Sequence, residues 1–158
     1  SGTVDNVSVR EIDPLAVSIQ MQGLETFADE GSATQEALFD WRVDANNRIT
    51  LNLDTDSTKV GTLTLTMVNG SGTDETISTT AELTPGVNDP FNVAIVCTSN
   101  EIGIALDGTA ETRVSHTIGL PDLSATDLDL GFDYMGTIKQ FRVWADDIGD
   151  TGIEEAST

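Results

Sequence analysis

The sequence predicts an all-β domain of two packed antiparallel sheets, closed by at most one short C-terminal helix. Three observations carry that expectation. Apolar residues recur at every second position over most of the chain, turn-forming residues separate the alternating runs, and no long stretch shows the period of an amphipathic helix. A chain of 158 residues is long enough to bury one continuous core. Residues 14–158 are accordingly read as a single sandwich domain, and residues 1–13, polar and without a clear strand, as a flexible N-terminal arm.

Leu15, Val17, Ile19 and Met21 alternate with Ala16, Ser18, Gln20 and Gln22, behind a Pro14 that can start a strand but not interrupt a central one. Phe39, Trp41 and Val43 share one face of the next strand. The chain then turns through Asp44-Ala45-Asn46-Asn47, read as a four-residue loop, and returns with Ile49, Leu51 and Leu53 inward. Leu63, Leu65 and Met67 alternate with threonines, which suit an exposed pleated face. Residues 73–85 are rich in Thr, Gly and acid and read as a long surface connection with at most a short strand at 76–79.

Phe91, Val93, Ile95 and Cys97 are interleaved with Ala94 and Val96, so this strand is expected to be buried on both faces. Asp107-Gly108 is the strongest hairpin signal in the chain. Leu128 and Leu130 mark a short strand. In the last strand, 136–144, Ile138 and Phe141 stand three apart, which requires either two buried faces or a β-bulge near Lys139 and Gln140. Thr151-Gly152-Ile153-Glu154 fits a capping box and predicts a terminal helical turn. The expected core comprises Ile19, Phe39, Trp41, Leu51, Leu65, Val93, Ile95, Ile104, Leu130 and Phe141.

Seven Lys plus Arg against 27 Asp plus Glu give a formal net charge of -20, which argues against nucleic acid and anionic membrane as partners. Cys97 is the lone cysteine, so no internal disulfide exists. No secretory signal or membrane-spanning apolar run is present, and the expectation is a chain made in the cytosol. No cofactor is expected: one Cys and one His cannot build a tetrahedral zinc site. Calcium is the metal left to consider, because Asp127 and Asp129 share a strand face and Asp133 follows closely; the competing reading is acids facing water on an acidic chain. His116 is expected on an exposed strand or loop, and Ser115 beside it is no nucleophile arrangement. Phe132 and Tyr134, after Gly131, are the candidate sugar-stacking aromatics, weighed against a packing role at the core or rim.

A longer pattern runs through residues 37–156: Trp41-Arg42-Val43-Asp44 then Asn46-Asn47-Arg48-Ile49, Pro90-Phe91-Asn92-Val93-Ala94, Ala105-Leu106-Asp107-Gly108, Asp127-Leu128-Asp129-Leu130-Gly131, and a finish from Gly136-Thr137-Ile138 to Val143-Trp144. This order of motifs resembles the laminin-G-like, concanavalin A-like jelly roll, and its wording is similar to modules of tailed-bacteriophage virion proteins. The resemblance implies a non-enzymatic virion structural module, with a capsid decoration protein as the leading expectation. A tail receptor-binding or glycan-binding domain is the alternative, and a polysaccharide-cleaving enzyme a distant third. It further implies viral capsid or tail proteins or a cell-surface glycan as partners, a homotrimer as the state suited to a capsid lattice, and assembly in the host bacterial cytoplasm. The arm would dock through Val4, Val7 and Val9. Hydrolases of this kind carry Glu-x-Asp-x-x-Glu; Glu11-Ile12-Asp13-Pro14-Leu15-Ala16 starts that pattern and ends on Ala16, where the third acid would stand.

Overall fold

The computed structural model describes residues 16–28, 35–56, 59–70, 72–131 and 134–158. In chain order the strands are β1 (Ala16–Phe27), β2 (Gln35–Asp44), β3 (Asn47–Asp54), β4 (Thr62–Asn69), β5 (Glu75–Glu82), β6 (Gly86–Thr98), β7 (Glu101–Leu106), β8 (Thr109–Ala110), β9 (Val114–Ser115), β10 (Leu128–Leu130) and β11 (Gly136–Trp144), followed by helix α1 (Gly149–Ala156). One sheet runs β11-β1-β6-β7-β8 with β9 also on β7; the other runs β10-β2-β3-β4-β5. The pairings are antiparallel: the two sheets form the sandwich that the alternation predicts, and it is a jelly roll, as the resemblance implies. Residues 1–15, which contain the arm with Val4, Val7 and Val9 and both acids of the partial motif, lie outside the described residues, and Ala16, its last position, begins β1.

Local chemistry explains the hairpins. Asp44 pairs with Asn47, so the β2–β3 turn is the two-residue Ala45-Asn46 rather than a four-residue loop. Asp44 Oδ1 accepts from Asn46 N (2.7 Å) and Asn47 Nδ2 (3.0 Å), which lets the strands pair up to the turn itself. At the β7–β8 turn, Asp107 (φ 47°) and Gly108 (φ 78°) both take the left-handed conformation that a tight hairpin needs, and Leu106 pairs with Thr109 across it. The long connection expected at 73–85 is in fact strand β5 over most of its length. Its inward positions are Ile77 and Thr79, and Thr79 Oγ1 accepts from Leu63 N, so a polar side chain carries half of the alternation and hides the strand signal.

The phase problem in β11 resolves as a bulge. Gln22 pairs with Gln140 and the next residue, Gly23, pairs with Ile138, leaving Lys139 as the extra residue. Phe141 and Ile138 therefore both pack on the core. Gly23 is required there: a Cβ would lie 2.6 Å from the Thr137 carbonyl oxygen and 2.8 Å from the Tyr134 hydroxyl.

Ile19, Phe39, Leu51, Leu65, Val93, Ile95 and Ile104 are buried as expected, and the Phe39 and Phe141 rings cross edge-on at 6.2 Å. Trp41 is only partly buried. Leu130, expected in the core, is 43% exposed. It pairs with Phe39 and so points inward, but β10 is a three-residue edge strand with no neighbour beyond it to cover the side chain. Val143 repeats the pattern on β11: it pairs with the buried Ile19 yet is 50% exposed.

Burial of β6 on both faces is explained by α1, whose Ile153 packs on Ala94, Val96 and Ala105 over the outer face of the first sheet. Asn92 fixes the end of the chain there, donating from Nδ2 to the carbonyls of Ala156 (3.1 Å) and Thr158 (3.0 Å) while its Oδ1 accepts from Gln20 Nε2 (2.7 Å). The helix is longer than one turn, and the capping box is not its start: Thr151 lies inside it, and Gly149 N is instead met by Asp147 Oδ1. His116 is also corrected, being buried at 8% exposure, with neither ring nitrogen hydrogen-bonded among the described residues. Burial pushes the Cys97 thiol up to about 12, so it is an unreactive core group.

Candidate ligand-binding site

At the end of the sandwich where β1 begins, a pocket of about 380 Å³ opens between the sheets. It is lined by Ala16 and Val17 of β1, Trp41 of β2, Ile49 of β3, Ser99 and the loop residues 120–124. Its size falls within the usual range for small-ligand sites, about 300–1,000 Å³. The wall is mainly apolar, with Ser99, Asp122 and Ser124 as polar groups.

The loop is held from several directions. Asn69 Nδ2 donates to the carbonyls of Ile118 (2.7 Å) and Leu120 (3.0 Å), Leu123 is buried in the core, and Thr126 Oγ1 donates to the Arg42 carbonyl (2.8 Å). Within it, Asp122 Oδ1 accepts from the Ser124 hydroxyl (2.7 Å) and amide (3.1 Å). Those two bonds, the hydroxyl first, hold the Asp122 carboxyl below its ordinary range, so it is charged at neutral pH. Its Oδ2 has no hydrogen-bond partner among the described residues and keeps its acceptor capacity. Trp41 is placed by pairing with Ile49 on one side and Leu128 on the other. Its Nε1 is buried without an acceptor among the described residues, so the apolar ring is what the residue brings to the wall. An indole, apolar side chains and a fixed carboxylate acceptor line one concave site, an arrangement that suits a ligand with an apolar face and hydrogen-bond donors at its edge.

The other sequence-singled residues are placed differently. Tyr134 donates its hydroxyl to the Leu24 carbonyl (2.7 Å) and packs edge-on against Phe91 at 6.4 Å. That is the packing role, not a free stacking platform. Burial foremost, with Glu25 nearby, pushes its hydroxyl well above the usual tyrosine range. Phe132 and Asp133 lie outside the described residues. Asp127 and Asp129 are exposed on or beside β10, and no group of three or more His, Cys, Asp or Glu able to hold a metal occurs among the described residues.

A larger cleft of about 560 Å³ lies beside α1 and is lined by Glu101, Glu111, Arg113, Asp150 and Glu154 among others. Its guanidinium is already engaged. Arg113 donates from Nη1 and Nη2 to the two Asp147 carboxylate oxygens (2.8 and 2.9 Å) and from Nε to Asp150 (2.6 Å), with Glu101 at 3.7 Å. Its stem lies over Gly103, where a Cβ would approach Arg113 Cγ to 3.2 Å. This is a clamp that fixes the start of α1 to the sheet. Arg113, chiefly through its hydrogen bonds, holds Asp147 below the ordinary aspartate range. A depressed carboxylate stabilises the fold above its unfolded pKa and loses that contribution as pH falls through its folded value. Arg113→Met is therefore expected to cost about 1–2 kcal/mol in urea unfolding at pH 7, discounted for partial exposure. The difference from wild type should shrink as pH drops below the ordinary aspartate range.

Sequence reasoning missed the Trp41 pocket because Trp41 alternates with Phe39 and Val43 and reads as plain core. The signal that was present is Gly119-Leu120-Pro121-Asp122, a turn sequence that folds the loop back over the strand ends.

No family model matches the chain, and no curated protein sequence matches it. Solved structures match its fold. The leech intramolecular trans-sialidase complexed with 2,7-anhydro-Neu5Ac superposes with a TM-score of 0.71 at 13% identity, over 91% of this chain and 23% of that one. The binding domain of botulinum neurotoxin DC in complex with SialylT gives 0.67 at 15% identity, over 90% and 35%. The CBM40 of the Ruminococcus gnavus IT-sialidase gives 0.65 at 13% identity, over 92% and 84%. The chain thus spans about a quarter of the trans-sialidase and a third of the toxin chain, but most of the CBM40. At these identities the likeness is one of fold, the jelly-roll sandwich.

Proposed function

We propose that this chain is a glycan-binding module whose sugar sits in the Trp41 pocket. The observation that carries the reading is the combination of an indole wall with a charged, loop-fixed Asp122 in one concave site. The structural neighbours support it: one is a CBM40 aligned over most of both chains, and another is a toxin binding domain complexed with SialylT. Asp122 is the single carboxylate among the pocket's described lining residues, whereas paired-acid hydrolysis needs two, so the pocket favours binding over cleavage. The structures named above are not virion proteins, and the capsid-decoration expectation draws nothing from them. On a virion, the setting that the sequence resemblance implies, such a pocket would serve attachment to a host-surface glycan.

Glycan-array screening followed by calorimetric titration tests the reading. Trp41→Ala is expected to weaken the best glycan by about tenfold or more, equivalent to about 1.4 kcal/mol. Trp41→Phe keeps an aromatic wall and removes a buried unpaired N–H, so it should retain most of the affinity without a large loss of stability. A folded wild-type protein that retains no glycan would overturn the proposal.

A further inference from the structure

The composition of the same pocket narrows the class of sugar, an inference that rests on the glycan-binding reading. We infer that the ligand is a neutral sugar unit bearing a methyl-containing substituent, as in a 6-deoxy or N-acetylated pyranose, and not a carboxylate-bearing sialic acid. None of the described lining residues is basic, and the charged side chain among them is the acid Asp122. A sugar carboxylate would meet a like charge there, on a chain of net charge -20. Among the described residues, Arg42 is paired with Asp40, Arg48 with Asp74, and Arg113 with Asp147 and Asp150, so these three guanidinium groups are already engaged.

The apolar part of the wall argues for the substituent. Val17, Ile49, Leu120 and Leu123 face the space together with Trp41. A ring carrying only hydroxyls would bury some of them against these side chains without partners, which is costly, while a methyl group fills the same volume favourably. The hydroxyls that remain can meet Asp122, Ser99 and Ser124 on the polar part of the wall. The 2,7-anhydro-Neu5Ac of the trans-sialidase complex is therefore not expected to be a ligand of this chain.

The test is calorimetric titration of the whole chain with four methyl glycosides, those of fucose, N-acetylglucosamine, glucose and sialic acid, alongside a glycan panel. The fucoside or the N-acetylglucosaminide is expected to bind about tenfold tighter than the glucoside, with no measurable heat from the sialoside. The fucoside and N-acetylglucosaminide arms tell the two methyl sources apart. Asp122→Asn should weaken the neutral ligand and narrow the discrimination against sialoside. If the glycans retained are sialosides or plain hexosides, the inference fails while the glycan-binding reading stands. If no glycan in the panel or titration is retained, the glycan-binding reading itself fails.

Discussion

Replacing Glu25 by Gln is expected to stabilise the domain at pH 8 and to leave it nearly unchanged at pH 5. Glu25 lies on β1 at an inward position, is fully buried, and has one carboxylate oxygen, Oε2, with no hydrogen bond among the described residues. Burial pushes its carboxyl up from 4.5 to about 7; Glu36 from the facing sheet adds to the rise, and backbone hydrogen bonds from Thr26 and Met135 oppose it. With the folded value above the unfolded one, the native state holds an extra proton between the two. Stability linked to Glu25 is therefore fully present below 4.5 and is lost as pH rises through about 7. A tenfold change in proton affinity corresponds to about 1.4 kcal/mol, and with part of the cost relieved by relaxation around the charged carboxylate the gain of Glu25→Gln at pH 8 should be about 2 kcal/mol. Urea unfolding at both pH values checks this. An equal loss at pH 5 and pH 8 would mean that Glu25 is held charged by a partner instead.

The second large effect is a contrast along one rung of the sheet. Leu130, Phe39 and Leu51 pair in register across β10, β2 and β3, and all three point to the same face. Leu51 is fully buried and Leu130 is 43% exposed. Leu51→Ala leaves a cavity at the centre of the sandwich and should cost about 2–5 kcal/mol. Leu130→Ala removes methyl groups that already meet water on one side, and should cost less than about 1 kcal/mol. Comparable losses at both positions would show that the β10–β11 edge is covered in solution.

The contrast between those leucines also marks where the sequence is legible. Period two places Leu130 on the inner face, and it is there; periodicity cannot say that β10 ends a sheet and that the inner face is open at its edge. The same limit hides the pocket. Trp41 alternates like a core residue, and only the return of residues 120–124 over the strand ends turns it into a wall. Local chemistry reads more directly. Asp107-Gly108 announces its hairpin by conformational need, and the three-residue spacing of Ile138 and Phe141 announces the bulge at Lys139. Strand β5 escapes because Thr79 turns inward where an apolar residue would have signalled burial, its hydroxyl paired with a backbone amide. The buried state of Glu25 is a tertiary fact: nothing adjacent to it in sequence shows that the facing sheet carries Glu36.

The central claim is that Trp41 lines the sugar site, and the chain's two tryptophans make it directly measurable. In an amide and indole correlation spectrum, each contributes one indole signal. Trp144 pairs with Ser18 at the end of β11, and the Ser18 hydroxyl donates to the Asp146 carbonyl rather than facing the pocket. During titration with the tightest glycan from the array, the Trp41 indole signal and the amides of residues 120–124 are expected to move together, with the Trp144 indole signal unmoved. Saturable glycan binding that leaves Trp41 and residues 120–124 unperturbed would contradict the account.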